Sequence, residues 1–417
     1  MNRKPFSTLV FSASFLALSA VCGAAFAADI RIDALEVDSP NGKQKVLIKN
    51  IEVINTNLTR EDITALFSAK GDKKDRFALA ARAKFDRMVI PEIVFNGTPG
   101  NEGQVIARNY VVVKYDQGKF QSVSLASFGG KIFQKDAGAD VEIKSGSIEL
   151  LDGDFSKMLA AAAKGEDDVA NGRLARFAWN GFEVRFPEKL QTGVAMHLVT
   201  IGSIIAEGKY DGDMPTRGFA TIKDVVFTPG AGTGAAQGLS MFGYDKAQGT
   251  FNMDGTYDSA KRSFRLTDLS LSGPASGTLA LTGQFGSIGP DAFRGSTNLA
   301  RIGALLAGDV DSMAIDYKDA GLFEKALVFY AKMNGKDPQA VRTEWAGMVA
   351  GVLPMLAGGD ASIVKASAAL AEFVRSPKNL NISLKGKNGP VKFSDLQAMR
   401  DPQAALQKIE LTATANR

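Results

Sequence analysis

The sequence has 417 residues, of which 45% are hydrophobic and 23% are charged, a composition typical of globular proteins with a sizeable core. Its 49 lysines and arginines nearly balance its 45 aspartates and glutamates, which leaves a formal charge of +4. A nucleic-acid-binding protein needs a concentrated basic surface to neutralise phosphates, so this balance argues against a nucleic-acid partner. One histidine and one cysteine leave almost nothing from which to build a histidine metal site, a Ser-His-Asp triad or a disulfide scaffold.

Residues 1–27 have the pattern of a secretory signal peptide. A positive start at Arg3 and Lys4 precedes a short apolar stretch over residues 9–21, and residues 25–27 (Ala-Phe-Ala) match the small-x-small cleavage rule. We therefore predict cleavage at the end of this segment and a periplasmic location. The mature chain then has 417 − 27 = 390 residues and a formal charge of +4 − 2 = +2.

The single cysteine, Cys22, lies inside this segment. Lipidation of Cys22 is the alternative to cleavage, but residues 19–21 (Ser-Ala-Val) fit that motif less well than the cleavage site fits its own. Without Cys22 the mature chain has no disulfide, and we expect its core alone to stabilise it. No later segment reaches 18 uncharged apolar residues, so we expect no transmembrane helix in the mature chain.

Most of residues 28–290 alternates between apolar and polar side chains, a pattern typical of antiparallel strands with one apolar face. Residues 182–186 and 279–285 show the alternation clearly. Asn41-Gly42 lies between two such runs and predicts a hairpin, as does the Asp116-Gln117-Gly118 segment.

Short helices are predicted to interrupt these strands. Thr59 has the chemistry of a helix N-cap for a helix that reaches about Ala69, and Asp154 precedes a second helix that ends at Gly165. The Gly- and Ala-rich residues 229–238 are predicted to form a loop.

The last third of the chain is predicted to be rich in helices. Four segments have helical patterns, at residues 291–307, 321–334, 338–357 and 360–375. In the third segment a three-four spacing predicts the buried face, which consists of Val341, Trp345, Met348, Val349, Val352 and Leu356. Because Asp360 can cap the fourth segment, the last two should form a helical hairpin. Residues 380–384 and 411–415 are predicted strands.

These patterns predict an α+β protein. Mostly antiparallel strands, arranged in repeated sheet units, extend to about residue 290, and a helix-rich C-terminal region packs on the sheet. The predicted organisation is a signal peptide at residues 1–27, β-rich regions at 28–165 and 172–290, and a helix-rich region at 291–417. The polar segment 165–173 separates the two β-rich regions.

The C-terminal part of the sequence has a distinctive order of segments. Strands of the Phe264–Leu271 and Gly277–Phe285 kind precede Gly321-Leu-Phe-Glu-Lys-Ala-Leu, and Pro377-Lys-Asn-Leu-Asn-Ile-Ser-Leu and Asp401-Pro-Gln-Ala-Ala-Leu follow. With the signal peptide, this layout resembles uncharacterised secreted proteins of alphaproteobacteria and, more distantly, AsmA-type envelope proteins. The resemblance implies an envelope protein and brings no catalytic motif with it.

Few residues are candidates for chemistry. His197 lies in an apolar, strand-like run, and we expect a hydrogen-bonded sheet histidine rather than a base or ligand, because no second histidine accompanies it. Ser362-Ile-Val-Lys365 matches the Ser-x-x-Lys pattern without its companion motifs. Residues 166–168 (Glu-Asp-Asp) have oxygens for a calcium ion, although a solvated linker explains them as well. We predict no catalytic, cofactor-binding or metal-binding residue and no cofactor.

The recurring one-faced strands are the main functional signal. Each must cover its apolar side with another sheet, a helix or a ligand, because apolar surface left in water costs about 25 cal/mol per Å². The sequence therefore favours a non-catalytic periplasmic envelope protein that binds lipid along an apolar β-sheet face. The alternatives are an envelope assembly or protein-interaction factor that acts through the C-terminal helical hairpin and, third, a secreted hydrolase.

Overall fold

A computed structural model of the chain describes residues 28–38, 44–68, 72–98, 100–166, 172–294, 297–356, 358–398 and 407–417. The predicted signal peptide, the Asn41-Gly42 turn and the segment that begins at Asp401 lie outside the described residues. Strand accounts for 55% of the structure and helix for 27%, and the helices lie mostly in the C-terminal half. This confirms the predicted α+β class with antiparallel strands.

The chain separates into two compact units. The N-terminal unit contains the described residues up to Lys135 together with Glu142–Phe177, and the C-terminal unit contains Asp136–Val141 and Ala178–Arg417.

Antiparallel strands and three helices build the N-terminal unit. The strands are β1 (Ala28–Asp38), β2 (Lys45–Thr56), β3 (Lys84–Thr98), β4 (Asn101–Asp116), β5 (Lys119–Gln134), β6 (Ala139–Ser145, which begins in the other unit) and β7 (Ile148–Asp154). The helices are α1 (Arg60–Phe67), α2 (Lys73–Arg82) and α3 (Ser156–Lys164). Strands β1, β2, β3, β4, β5 and β7 pair in that order, each antiparallel to the next. The core lies between the sheet and the helices, with Ile51 and Ile90 from strands against Ile63 and Leu79 from helices.

Local sequence signals account for the ends of these elements. The Thr59 hydroxyl accepts a hydrogen bond from the Asp62 amide (3.1 Å), and the Asp62 carboxylate accepts one from the Thr59 amide (3.0 Å). This capping box starts α1 as predicted. Gly165 ends α3 in the left-handed conformation (φ 75°), which glycine adopts without steric cost.

The C-terminal unit contains more of the strands. Its strands are β8 (Arg173–Leu190, which begins in the other unit), β9 (Gly193–Asp211), β10 (Met214–Thr228), β11 (Ala247–Asp258), β12 (Ser263–Gly273), β13 (Gly277–Gly286), β14 (Asp309–Lys318), β15 (Asn379–Gly386), β16 (Val391–Lys392) and β17 (Ile409–Ala415). Strands β9 to β15 pair in sequence order, and β17 pairs with β15, always antiparallel. Short β16 pairs with β14.

The helices of this unit lie mostly in its second half, and their order along the chain follows the prediction. They are α4 (Gly234–Met241), α5 (Asp291–Arg294), α6 (Asn298–Leu306), α7 (Leu322–Met333), α8 (Pro338–Leu356), α9 (Ala361–Arg375) and α10 (Phe393–Ala398). The Asp360 carboxylate accepts a hydrogen bond from the Ser362 amide (2.9 Å) and caps α9. Helices α8 and α9 pack as a hairpin, and α9 lies on β15 and β17. The predicted hairpin and its packing on the sheet are therefore confirmed.

Four segments differ from the prediction. Helix α2 was not predicted because its first turn is polar. The predicted loop at residues 229–238 contains the start of α4, where buried Thr233 donates to the Gly230 carbonyl (2.8 Å) and caps the helix. The single helix predicted at residues 291–307 is two helices, because Thr297 begins α6 by accepting from the Ala300 amide (3.1 Å). Strand β14 follows, and it was also missed.

The Asp154 carboxylate makes the N-terminal unit sensitive to acid. Partial burial raises the pKa of Asp154, but hydrogen bonds from Ser156 and Arg173 outweigh this effect and hold the pKa at about 2. A carboxyl with a lowered pKa stabilises the fold above its unfolded pKa of ~4, and this contribution is lost as the pH falls towards 2. We expect Asp154→Asn to lower the free energy of unfolding by about 1–2 kcal/mol at neutral pH.

Urea unfolding of both proteins at neutral pH and again near pH 2 measures this effect. The difference between wild type and variant should shrink in acid. A difference of equal size at both pH values would contradict the assignment.

Candidate functional site

The sheet of the C-terminal unit has one apolar face and one polar face. In an antiparallel sheet, residues directly opposite each other point to the same side, and successive residues along a strand alternate between sides. The register of β9 to β15 and β17 therefore shows which side chains share a face across eight strands.

Two adjacent cross-strand rows on one face are almost entirely apolar. The first row, from β9 to β17, is Ile204, Ile222, Phe251, Leu271, Leu279, Tyr317, Leu380 and Ala415. The second is Ala206, Ala220, Met253, Leu269, Leu281, Ile315, Ile382 and Ala413. We call the two rows the apolar ladder. At ~4.8 Å per strand it extends about 34 Å across the sheet.

Helices cover the ladder over its last strands. The Tyr317 ring packs edge-on against Phe373 of α9, with ring centroids 5.8 Å apart. The Tyr317 hydroxyl donates to the Asp319 carboxylate (2.6 Å), and burial together with this carboxylate raises the pKa of the phenol. The apolar side chains of β14, β15 and β17 in the ladder therefore belong to an ordinary sheet–helix interface.

The ladder is open over the central strands. Leu271 and Leu279 lie directly opposite each other on β12 and β13 and are 59% and 50% exposed. Met253, on the neighbouring strand β11, is also exposed. Half-buried Phe251 and Leu281 adjoin them in the two rows. This group, which we call the open segment, is a contiguous apolar surface of the kind that marks binding sites.

The opposite face of the same strands is polar and internally hydrogen-bonded. The Thr221 hydroxyl donates to the Asn252 amide oxygen (2.8 Å), and the Asn252 amide nitrogen approaches the Ser270 hydroxyl (3.4 Å). Farther along, Asn381 donates to the Asp316 carboxylate (2.6 Å). These polar side chains thus help to fix the register of the strands, because a shift of one residue would place them among the ladder side chains.

A shallow cavity of about 410 Å³ lies on β12 to β15. Four of its lining residues form one cross-strand row, Arg265, Gln284, Ser312 and Lys385. These polar and cationic groups suit a polar ligand, so the cavity is chemically distinct from the ladder.

His197 is buried in the sheet with both ring nitrogens hydrogen-bonded. Its imidazole stacks between Phe186 and Phe227, with centroid distances of 4.9 and 5.7 Å. Nδ1 accepts from the Gly230 amide (3.3 Å), so Nε2 carries the proton and donates to Glu188 (2.8 Å). The prediction of a hydrogen-bonded sheet histidine is confirmed.

The other sequence candidates lie apart from the ladder. The Ser362 hydroxyl donates to the Asp360 carboxylate in the cap of α9 and has no hydrogen bond with Lys365. Glu166 is exposed and approaches Lys164 at 3.9 Å, whereas residues 167 and 168 lie outside the described residues. Among the residues that the structure describes, no three His, Cys, Asp or Glu side chains form a group able to hold a metal ion. No helix in the described part of the chain is long and apolar enough to span a membrane.

Sequence reasoning found most strands of the ladder, but it missed β14 and did not find the ladder itself. The alternation of Leu279, Leu281 and Phe285 on β13 is visible in the sequence, whereas the alignment of Leu279 with Leu271 and Tyr317 depends on register. The sequence does contain a signal for β14, because Met313, Ile315 and Tyr317 alternate with polar or small residues, as in a strand.

Replacement of His197 separates packing from hydrogen bonding. His197→Ala removes both ring contacts and leaves the Gly230 amide without its acceptor, so we expect a loss of about 3 kcal/mol in the free energy of unfolding. His197→Phe keeps the stacking and loses only the hydrogen bonds, at a cost of about 1–2 kcal/mol. Urea denaturation measures both. Equal destabilisation by the two variants would show that stacking contributes nothing.

Comparison with known proteins shows a similarity in the C-terminal part of the chain. A family model described as "Uncharacterized protein" matches residues 270–416, from within β12 to just after β17. The sequence matches no curated protein. The matched segment contains Leu271 and Leu279 of the open segment and the helices that cover the rest of the ladder.

Proposed function

We propose that this protein is a non-catalytic periplasmic envelope protein that binds the acyl chain of a lipid along the open segment of the apolar ladder. The observation that carries this proposal is the exposure of Leu271 and Leu279 at the centre of continuous apolar rows. Apolar area left in water costs about 25 cal/mol per Å², so a hydrocarbon ligand on this surface gains the same amount.

The shape of the ladder supports a narrow ligand. Its two rows lie about 7 Å apart along the strands, and the strands from β9 to β13 extend about 19 Å across the sheet. This stripe is far smaller than the ~800 Å² that each partner buries in a standard protein–protein interface. An extended hydrocarbon chain matches the stripe in width and chemistry.

The chemistry of the ladder supports binding without catalysis. Its side chains are hydrocarbon or aromatic, apart from the Tyr317 hydroxyl, which already donates to Asp319. Such a surface holds an apolar chain and provides neither a nucleophile nor a base.

Sequence features support the envelope location. Residues 1–27 match a cleavable signal peptide, and Cys22 within it is the single cysteine of the chain. The layout of the C-terminal part resembles secreted proteins of alphaproteobacteria and, distantly, AsmA-type envelope proteins. An exported lipid-binding protein is consistent with these features.

Lipid extraction tests the proposal directly. Protein purified from its native host without detergent is extracted with organic solvent, and the extract is analysed by mass spectrometry. We expect a fatty acid or phospholipid in stoichiometric amount. An extract without lipid would contradict the proposal and leave a structural or partner-binding role.

Substitutions in the open segment test where the ligand lies. We expect Leu271→Gln and Leu279→Gln each to weaken binding of a fluorescent fatty acid about tenfold, since each removes ~1.4 kcal/mol of apolar contact. Leu299→Gln, the same change at an exposed leucine of α6 outside both the ladder and the helical hairpin, is the matched control and should bind normally. Equal losses in all three variants, or none in any, would place the ligand elsewhere.

A further inference from the structure

The second half of α8 has no charged or hydrogen-bonding side chain. Residues 346–359 read Ala-Gly-Met-Val-Ala-Gly-Val-Leu-Pro-Met-Leu-Ala-Gly-Gly, up to Asp360 at the start of α9. The first half of α8 is different, because it carries Arg342 and Glu344. The apolar stretch therefore forms one end of the helical hairpin, away from the α7–α8 connection.

Much of this end is exposed. The predicted buried face of α8 included Met348 and Val352, and the structure corrects this. Val341 and Ala346 are buried, whereas Met348 is 51% exposed and Met355 is 71% exposed. The buried positions lie where α8 contacts its neighbours, whereas several side chains that follow Ala346 remain exposed. We call the exposed side chains of Met348, Val352, Leu353 and Met355 the hairpin tip.

The apolar side chains of the tip are not confined to one face of α8. At 100° per residue, Val352 and Met355 lie within about 40° of Met348, whereas Leu353 lies about 140° from it. A helix that docks in a protein groove keeps a polar face towards water. A helix segment that is apolar on all sides is instead typical of a protein core or of a membrane. The exposure of Met348 and Met355 is incompatible with a core position within this chain.

We infer that the hairpin tip inserts into the surface of a lipid bilayer. At 1.5 Å per residue the stretch from Gly347 to Leu356 is about 15 Å long, which reaches into one leaflet of a hydrocarbon core ~30 Å thick and does not span it. An apolar stretch of this length is typical of a re-entrant or interfacial segment and is too short to span the bilayer.

Two features of the turn suit this position. The Gly358 and Gly359 amides donate to the carbonyls of Met355 (3.2 Å) and Pro354 (2.9 Å), which reduces the number of unpaired backbone groups that enter the apolar layer. Charge begins again only at Asp360, whose carboxylate caps α9 and lies 3.6 Å from the Lys387 ammonium. Exposed Lys365 follows one turn later, within reach of lipid headgroups.

This inference does not rest on the proposed function, because the tip and the open segment share no residue. A fatty acid in solution reports on the open segment, and a bilayer surface reports on the tip. Failure of one proposal is thus distinguishable from failure of the other.

Site-specific fluorescence tests the insertion. Met355→Cys is made in a Cys22→Ser background, exported, and labelled with the environment-sensitive dye NBD. Met333→Cys, at the C-terminal end of α7 and far from the tip along α8, is the matched control, because Met333 is also a strongly exposed methionine. Vesicles of phosphatidylcholine, with and without phosphatidylglycerol, are added to each protein.

We expect a blue shift and a several-fold rise in emission from the dye at position 355 and no change at position 333. Val352→Glu with the label at position 355 should abolish the response, whereas Thr343→Glu, in the charged half of α8, should preserve it. Absence of a response at position 355 in pure lipid would overturn the inference and assign the tip to a protein partner. An equal response at positions 355 and 333 would also overturn it, by showing adsorption without insertion of the tip.

Discussion

Cross-strand register is the constraint on which the C-terminal unit depends. From β9 to β17 the strands align so that apolar residues meet apolar residues in two rows, and Leu271 lies opposite Leu279 in the middle. On the reverse side the same register aligns Thr221, Asn252 and Ser270 into a hydrogen-bonded series. A slip of one residue would place polar side chains among the apolar rows and apolar side chains within the hydrogen-bonded series, so each face stabilises the register that the other requires.

Helices cover only part of this apolar face, and the covered and uncovered parts have different consequences. Over β14 to β17 the ladder lies beneath α9, where Phe373 contacts Tyr317, and its burial contributes to the stability of the fold. Over β11 to β13 the same rows continue without such cover at Leu271 and Leu279. One continuous apolar stripe thus serves as core at one end and supports a ligand-binding proposal at the other.

Several polar and titratable side chains join neighbouring strands or cap helices. His197 joins β8, β9 and the segment after β10 by stacking and by hydrogen bonds to Glu188 and Gly230. Asp154 and Asp360 cap or anchor helices, and Thr233 does so from a fully buried position. Two exposed features without such a role, the open segment and the hairpin tip, are apolar, and both proposals concern lipid for this reason.

The sequence by itself determined the types of most elements, because alternation and three-four spacing are local properties of the chain. It also determined helix starts such as Thr59 and Asp360, whose caps depend on neighbouring residues. The three-four spacing of α8 correctly predicted a helix but placed Met348 on a buried face, since spacing alone does not show how far the supporting neighbours extend. Only the tertiary structure decided which apolar residues are covered, because coverage depends on contacts between segments distant in sequence, such as Tyr317 with Phe373.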